Sequence, residues 1–107
     1  MTTYCNLLDV KNRLKIVSTE TTFDDEIDEV ILEAQVIIDE MLRPYETVPL
    51  TVVPTIIRFA CADLAAGSFK ARKGQEDISK SGYYLLGEKK VQTYIQGKYF
   101  QGGMHEE

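Results

Sequence analysis

Titratable groups dense enough to do chemistry occur once in this chain, as the carboxylates Asp24, Asp25, Glu26, Asp28, Glu29 and Glu33. On a helix, Glu26-x-x-Glu29 turns two carboxylates toward one point, which is half of the two-helix Mg²⁺ site of all-α nucleotide pyrophosphohydrolases. The other half is missing. The helix that would face them offers only Asp63, and no second Glu-x-x-Asp pair lies within reach. A solvated helix start explains the cluster more simply, because the positive end of the helix dipole favours carboxylates. The single histidine, His105, stands beside Glu106 and Glu107 with no nucleophile motif around it. Glycine-rich phosphate loops, Cys-x-x-Cys pairs and basic recognition helices are also missing. The expectation is therefore a non-enzyme without cofactor or metal, with a Mg²⁺-dependent nucleotide hydrolase using Glu26 and Glu29 as the enzymatic alternative.

The elements that would position these groups are helical. Pro54 to Lys73 reads as a central helix with Ile56, Ile57, Ala60, Cys61, Leu64, Gly67, Ser68 and Ala71 on one broad side at about 100° per residue. Its other side is apolar too, through Phe59, Ala62, Ala66 and Phe69. A helix that is hydrophobic nearly all round is buried on both sides. The second side is covered either by other segments of the same chain or by another copy of it.

Before the central helix, Asn6 and Asp9 predict a capped short helix to about Lys15, and Thr22-x-x-Asp25 resembles a capping box that opens a long one. In that long helix Ile27, Val30, Ile31, Ala34, Ile37, Ile38 and Met41 recur at spacings of three and four, to about Leu42. Leu32 and Val36, four apart, fall on its acidic far side and hint at a contact surface. Glu46 to Val53 reads as an extended connection, with Thr51 as the cap of the central helix. After Lys73 a polar hinge, GQEDISKSG, leads to a last helix from about Ser79 or Ser81 to Gln96. Tyr84, Leu85, Val91, Tyr94 and Ile95 are its sparse apolar contacts, Gly87 is a weak point, and its hold on the core is the weakest of the four. Residues 97–107 read as a mobile tail that orders on a partner through the adjacent aromatics Tyr99 and Phe100.

Composition bounds the rest. The chain has 107 residues, 44% hydrophobic and 27% charged, which suits one small globular domain. With 12 basic and 17 acidic side chains the net charge is −5, so nucleic acid and acidic membranes are repelled as a whole. Cys5 and Cys61 are far apart in sequence and are expected to be free thiols. The opening MTTYCNLLDVKNR lacks the order of a signal peptide, and no apolar run nears the roughly 18 residues of a membrane span. Cytoplasm-like conditions are expected.

The order of these parts resembles the small head–tail connector proteins of tailed bacteriophages, also called adaptors or head-completion proteins. The likeness runs through YCNLLDV, TTFDDEIDEVILEAQVIID and PTIIRFACADLAAGSFKAR to the short last helix. It implies an all-α bundle of about four helices over residues 1–96, with a flexible tail over 97–107 and no catalytic site. It further implies a homo-oligomeric ring, often of about twelve copies, that sits on the portal protein, binds the next head-completion or tail protein, and passes DNA only as cargo. Membranes play no part, and the place is the virion, with the host cytoplasm during assembly. On this reading Leu32, Val36, Phe59, Ala62, Ala66 and Phe69 are the candidate subunit interface, and Lys70, Arg72, Lys73, Tyr99 and Phe100 the candidate portal contact. The runner-up is a monomeric helical module of prophage origin that binds one protein partner without forming a ring.

Overall fold

The computed structural model describes residues 3–74 and 82–100. Asn6 starts helix α1 (Leu7–Leu14) as its spacing to Asp9 predicts. The Asn6 side chain accepts from the Asp9 N–H at 2.9 Å, and the Asp9 carboxylate accepts from the Asn6 N–H at 3.1 Å. Two otherwise orphaned amides are satisfied reciprocally. Lys15 closes the helix in the left-handed region, at φ 62°.

Helix α2 (Asp24–Leu42) buries Ile27, Val30, Ile31, Ala34, Ile38 and Leu42, the stripe its periodicity announces. Its start differs from expectation. Phe23, not Thr22, holds the cap position, and no side chain caps the helix. Thr22 instead donates its N–H to the Glu20 carboxylate at 3.1 Å. Tertiary contacts set this boundary: the Phe23 ring meets Phe69 edge-on at 5.6 Å, and Asp24 pairs with Lys11 at 2.8 Å.

Helix α3 (Thr55–Arg72) begins directly after Pro54, whose extended backbone sets the entry without a side-chain cap, so Thr51 is not the cap. From Ala60 to Phe69 every residue of α3 is buried. Helices α1 and α2 cover one side of it. Helix α4 (Gly82–Ile95) covers the other and makes the most extensive helix–helix contact in the chain. That reverses the expected weak hold of the last helix. The physical reason is Gly87: a Cβ built there would lie 2.7 Å from Leu64 Cγ and 2.9 Å from the Ala60 carbonyl oxygen. The two backbones approach so closely that glycine is required. Gly87, Val91 and Ile95, four apart, face α3, so Leu85 lies about 200° round the helix from Gly87 and is exposed rather than a core contact.

Past Ile95 the chain continues as one π-helical turn, Gln96–Phe100, so the body does not end at residue 96. The hinge residues 75–81, the expected helix start at Ser79 or Ser81, and the tail residues 101–107, including His105, lie outside the described residues. Cys5 and Cys61 are both buried and free. The Cys61 thiol points at the Ile31 carbonyl 4.0 Å away.

The architecture is a small compact all-α bundle of four helices, with no strand among the described residues. Full burial of each of its larger core side chains, such as Ile27, Ile38 and Leu64, contributes about 1.5–3 kcal/mol.

Candidate interaction surfaces

The charges that sequence reasoning singled out are mostly engaged within the chain. Arg72, at the end of α3, donates to Glu29 at 2.8 Å and to Glu33, and Lys73 reaches Glu26 at 2.7 Å. Lys73 also lies over the rings of Phe23 and Phe69, at 5.1 and 5.3 Å. The acidic start of α2 and the basic end of α3 therefore hold each other, joining opposite dipole ends. The hydrogen bond that Arg72 donates to Glu29 raises its pKa most, burial opposes the rise, and the bond to Glu33 adds to it. Lys70 has a different neighbour, the Tyr83 ring at 5.2 Å.

Glu26 and Glu29 thus face cations, and Asp63 is turned elsewhere. Its carboxylate, almost fully buried, accepts from Arg13 Nε of α1 at 2.5 Å and from Lys90 of α4. One side chain in the middle of α3 ties down the helices on both flanks. Asp9 plays a parallel part at the other end of α1, accepting both Arg58 Nε at 2.9 Å and Arg58 Nη2 at 2.8 Å. That pair holds the Asp9 carboxyl below its usual range. Among the described residues, no group of three or more His, Cys, Asp or Glu side chains is gathered to hold a metal ion.

The candidate subunit interface divides in two. Ala62, Ala66 and Phe69 are buried within the chain itself, Phe69 at 5% exposure against the Phe23 ring, so this part of the second face of α3 is covered by the chain's own segments rather than left for another copy. Leu32, Val36 and Phe59 remain outside, at 43%, 60% and 43% exposure. Leu32 and Val36 stand on the outward face of α2. Beside Leu32 opens a recess of about 430 Å³ lined by Cys5, Leu7, Asp28 and Ile31 among others. Phe59 carries the Arg13 guanidinium 5.7 Å above its ring.

The candidate portal contacts divide likewise. Tyr99 stacks on Tyr45 at 5.2 Å, and Phe100 meets the same ring edge-on at 5.9 Å. Tyr45 follows the Arg43-Pro44 stop of α2, so these aromatics anchor the turn Gln96–Phe100 to the chain's own body instead of waiting on a partner. Glu46 completes the anchor by accepting from the Tyr94 hydroxyl at 2.6 Å and from Lys98 Nζ at 3.0 Å. Burial raises the Glu46 carboxyl, but the hydrogen bonds of Tyr94, Tyr99 and Lys98 outweigh it and leave the carboxyl below its usual range.

Sequence reasoning missed two kinds of residue. Asp63 carried a signal, a lone acid amid alanines at core spacing, but its partners lie 50 and 27 residues away. The other kind is the outward face of α4, where Leu85 and Leu86 are each half exposed. No helix among the described residues is long and apolar enough to cross a membrane.

Comparison with known proteins agrees with the phage resemblance at the level of a family. The profile described as "Bacteriophage Mu, Gp36" matches residues 3–84, which take in all of α1, α2 and α3 and the first turn of α4. No curated protein and no solved structure matches the chain. Since most of its length is matched, the chain belongs to the bacteriophage Mu Gp36 family.

Proposed function

We propose that this phage protein is a structural head–tail connector that forms a ring on the portal vertex and extends the DNA channel toward the tail. The observation that carries the reading is the match to a phage family over residues 3–84. Two physical features support it. The polar groups of the bundle are spent on tying helices to one another, as Asp63, Asp9 and Arg72 illustrate, while apolar side chains are left outward on α2 and α4. In addition, the net charge of −5 suits a wall past which a duplex moves without adhering. No chemical step is required of the protein. Neighbouring copies, the portal protein and the next head-completion or tail protein are its partners in this reading.

The test is co-sedimentation of the full chain with the portal protein of the same phage, followed by negative-stain imaging. The expected result is a ring of added density on the portal. A chain that neither sediments with the portal nor adds density to it defeats the connector reading.

A further inference from the structure

Helices α2 and α4 pack on different sides of α3 and barely touch one another, so each turns a face away from the common core. The two outward faces carry opposite charge. Every exposed charged residue on α2 is a carboxylate, and they flank the exposed pair Leu32 and Val36. On α4 the one exposed charged residue is Lys89, next to the exposed pair Leu85 and Leu86. Asp25 and Asp28 on α2 and Lys89 on α4 take part in no ion pair among the described residues, unlike Glu26, Glu29, Glu33 and Lys90. The spacing also matches: Asp28 and Leu32 are four residues apart, as are Leu85 and Lys89, so each face presents an apolar side chain one helical turn from a charge.

We propose that the outward face of α2 on one copy of this chain docks against the outward face of α4 on the next. A leucine of the Leu85–Leu86 pair enters the recess beside Leu32, and Lys89 faces Asp25 or Asp28. This inference rests on the connector reading and supplies its subunit contact. A second copy is the fitting occupant because each face is complementary to the other and not to itself. Pairing α2 with α2 would set carboxylates against carboxylates, and pairing α4 with α4 would set Lys89 against Lys89, which like-charge repulsion disfavours. The contact is therefore heterologous and repeats from copy to copy, as a closed ring requires.

The experiment is sedimentation of the full chain over a range of concentrations, as wild type, as Lys89→Glu, as Asp28→Lys, and as an equimolar mixture of the two variants. Wild type should self-associate, and each variant alone should do so about tenfold more weakly or worse, because a like-charged pair replaces an attractive one. The mixture should recover, since the reversed α4 of one variant meets the reversed α2 of the other. Helicity and thermal midpoint should stay unchanged, because both side chains are exposed. Wild type that stays monomeric, both free and on the portal, overturns the proposal. So do single variants that associate normally, or a mixture that fails to recover. Portal binding is read separately: self-association that obeys the charge swap without any portal binding removes the connector reading and leaves this contact standing. Portal binding with association indifferent to the swap removes the contact alone.

Discussion

Two ionic clusters hold α3 to its neighbours, and they differ in how much water reaches them. At mid-helix, Asp63 has a side chain 3% exposed and is shared by Arg13 and Lys90. At the helix end Arg72, 31% exposed, faces Glu29 and Glu33 with Glu26 at 4.0 Å. The ingredients are alike, but in the first cluster the carboxylate that both cations share has given up its hydration, while Arg13 and Lys90 keep 21% and 33% exposure. In the second, solvent can replace any partner that is lost. Burial rather than the number of ion pairs should decide which cluster matters.

The largest expected effect is therefore at the buried cluster. Asp63→Ala leaves Arg13 and Lys90, both partly exposed, without their shared acceptor and should cost about 1–3 kcal/mol in a urea melt. A loss below about 1 kcal/mol would mean that both cations find water easily and that the contrast with Arg72 is empty.

Tyr4 extends the comparison to a neutral group. Its buried hydroxyl donates to Asp39 at 2.5 Å and accepts the Leu50 N–H at 2.8 Å, and burial first, then the Asp39 bond, pushes its pKa up to about 12. The folded state thus keeps a proton that the unfolded chain releases near pH 10. Stability from this group should be complete below about pH 10 and decline as pH rises toward 12, by on the order of 2 kcal/mol. Alkaline melts should show that slope in the wild type and a shallower one in Tyr4→Phe.

Packing without charge comes next. Gly87→Ala gains about 1 kcal/mol of helix propensity on an isolated helix. Here it should lower stability by about 1–2 kcal/mol, because the new methyl meets Leu64 and the Ala60 carbonyl. A stabilised variant would show that α4 can shift outward freely, and so that the Asp63–Lys90 bond does not fix its place.

The smallest effect belongs to the exposed cluster. Arg72→Ala should cost less than about 1 kcal/mol at low salt. That difference should shrink further in 1 M NaCl, where the screening length falls to about 3 Å. A cost that is large and indifferent to salt would place Arg72 with Asp63 and undo the distinction drawn from exposure.

The same contrast governs what could be read before any coordinates. Features set by near neighbours were legible: Asn6 with Asp9, the stripe from Ile27 to Ile38, and the entry at Pro54 all follow from spacing within a few turns. Features set by distant partners were not. Phe23 rather than Thr22 begins α2 because Phe69 and Lys73 hold its ring. The grip of α4 rests on an absent side chain, and a glycine within a helix looks like a defect until its neighbour is known. Tyr99 and Phe100 looked unattached because Tyr45 lies more than fifty residues earlier. The outward pair Leu32 and Val36 was visible from the helical wheel alone, whereas Leu85 was assigned to the core, since too few apolar residues mark which side of α4 faces inward.

The two buried cysteines give the molecule a clock of its own. In the folded chain Cys61 is fully enclosed, and its thiol is held well above the ordinary range, first by its hydrogen bond with Cys5 and then by burial, so little reactive thiolate forms there. A thiol reagent added to the native protein must wait for an opening event, and its rate of reaction reports how often one occurs. Cys5 lies just before α1 and Cys61 in the middle of α3, so the two sites time different events: release of the N-terminal segment, and separation of the helices around the core. Followed on free protein and then on assembled particles, the same two labelling rates would show which of these motions assembly suppresses, with no probe introduced.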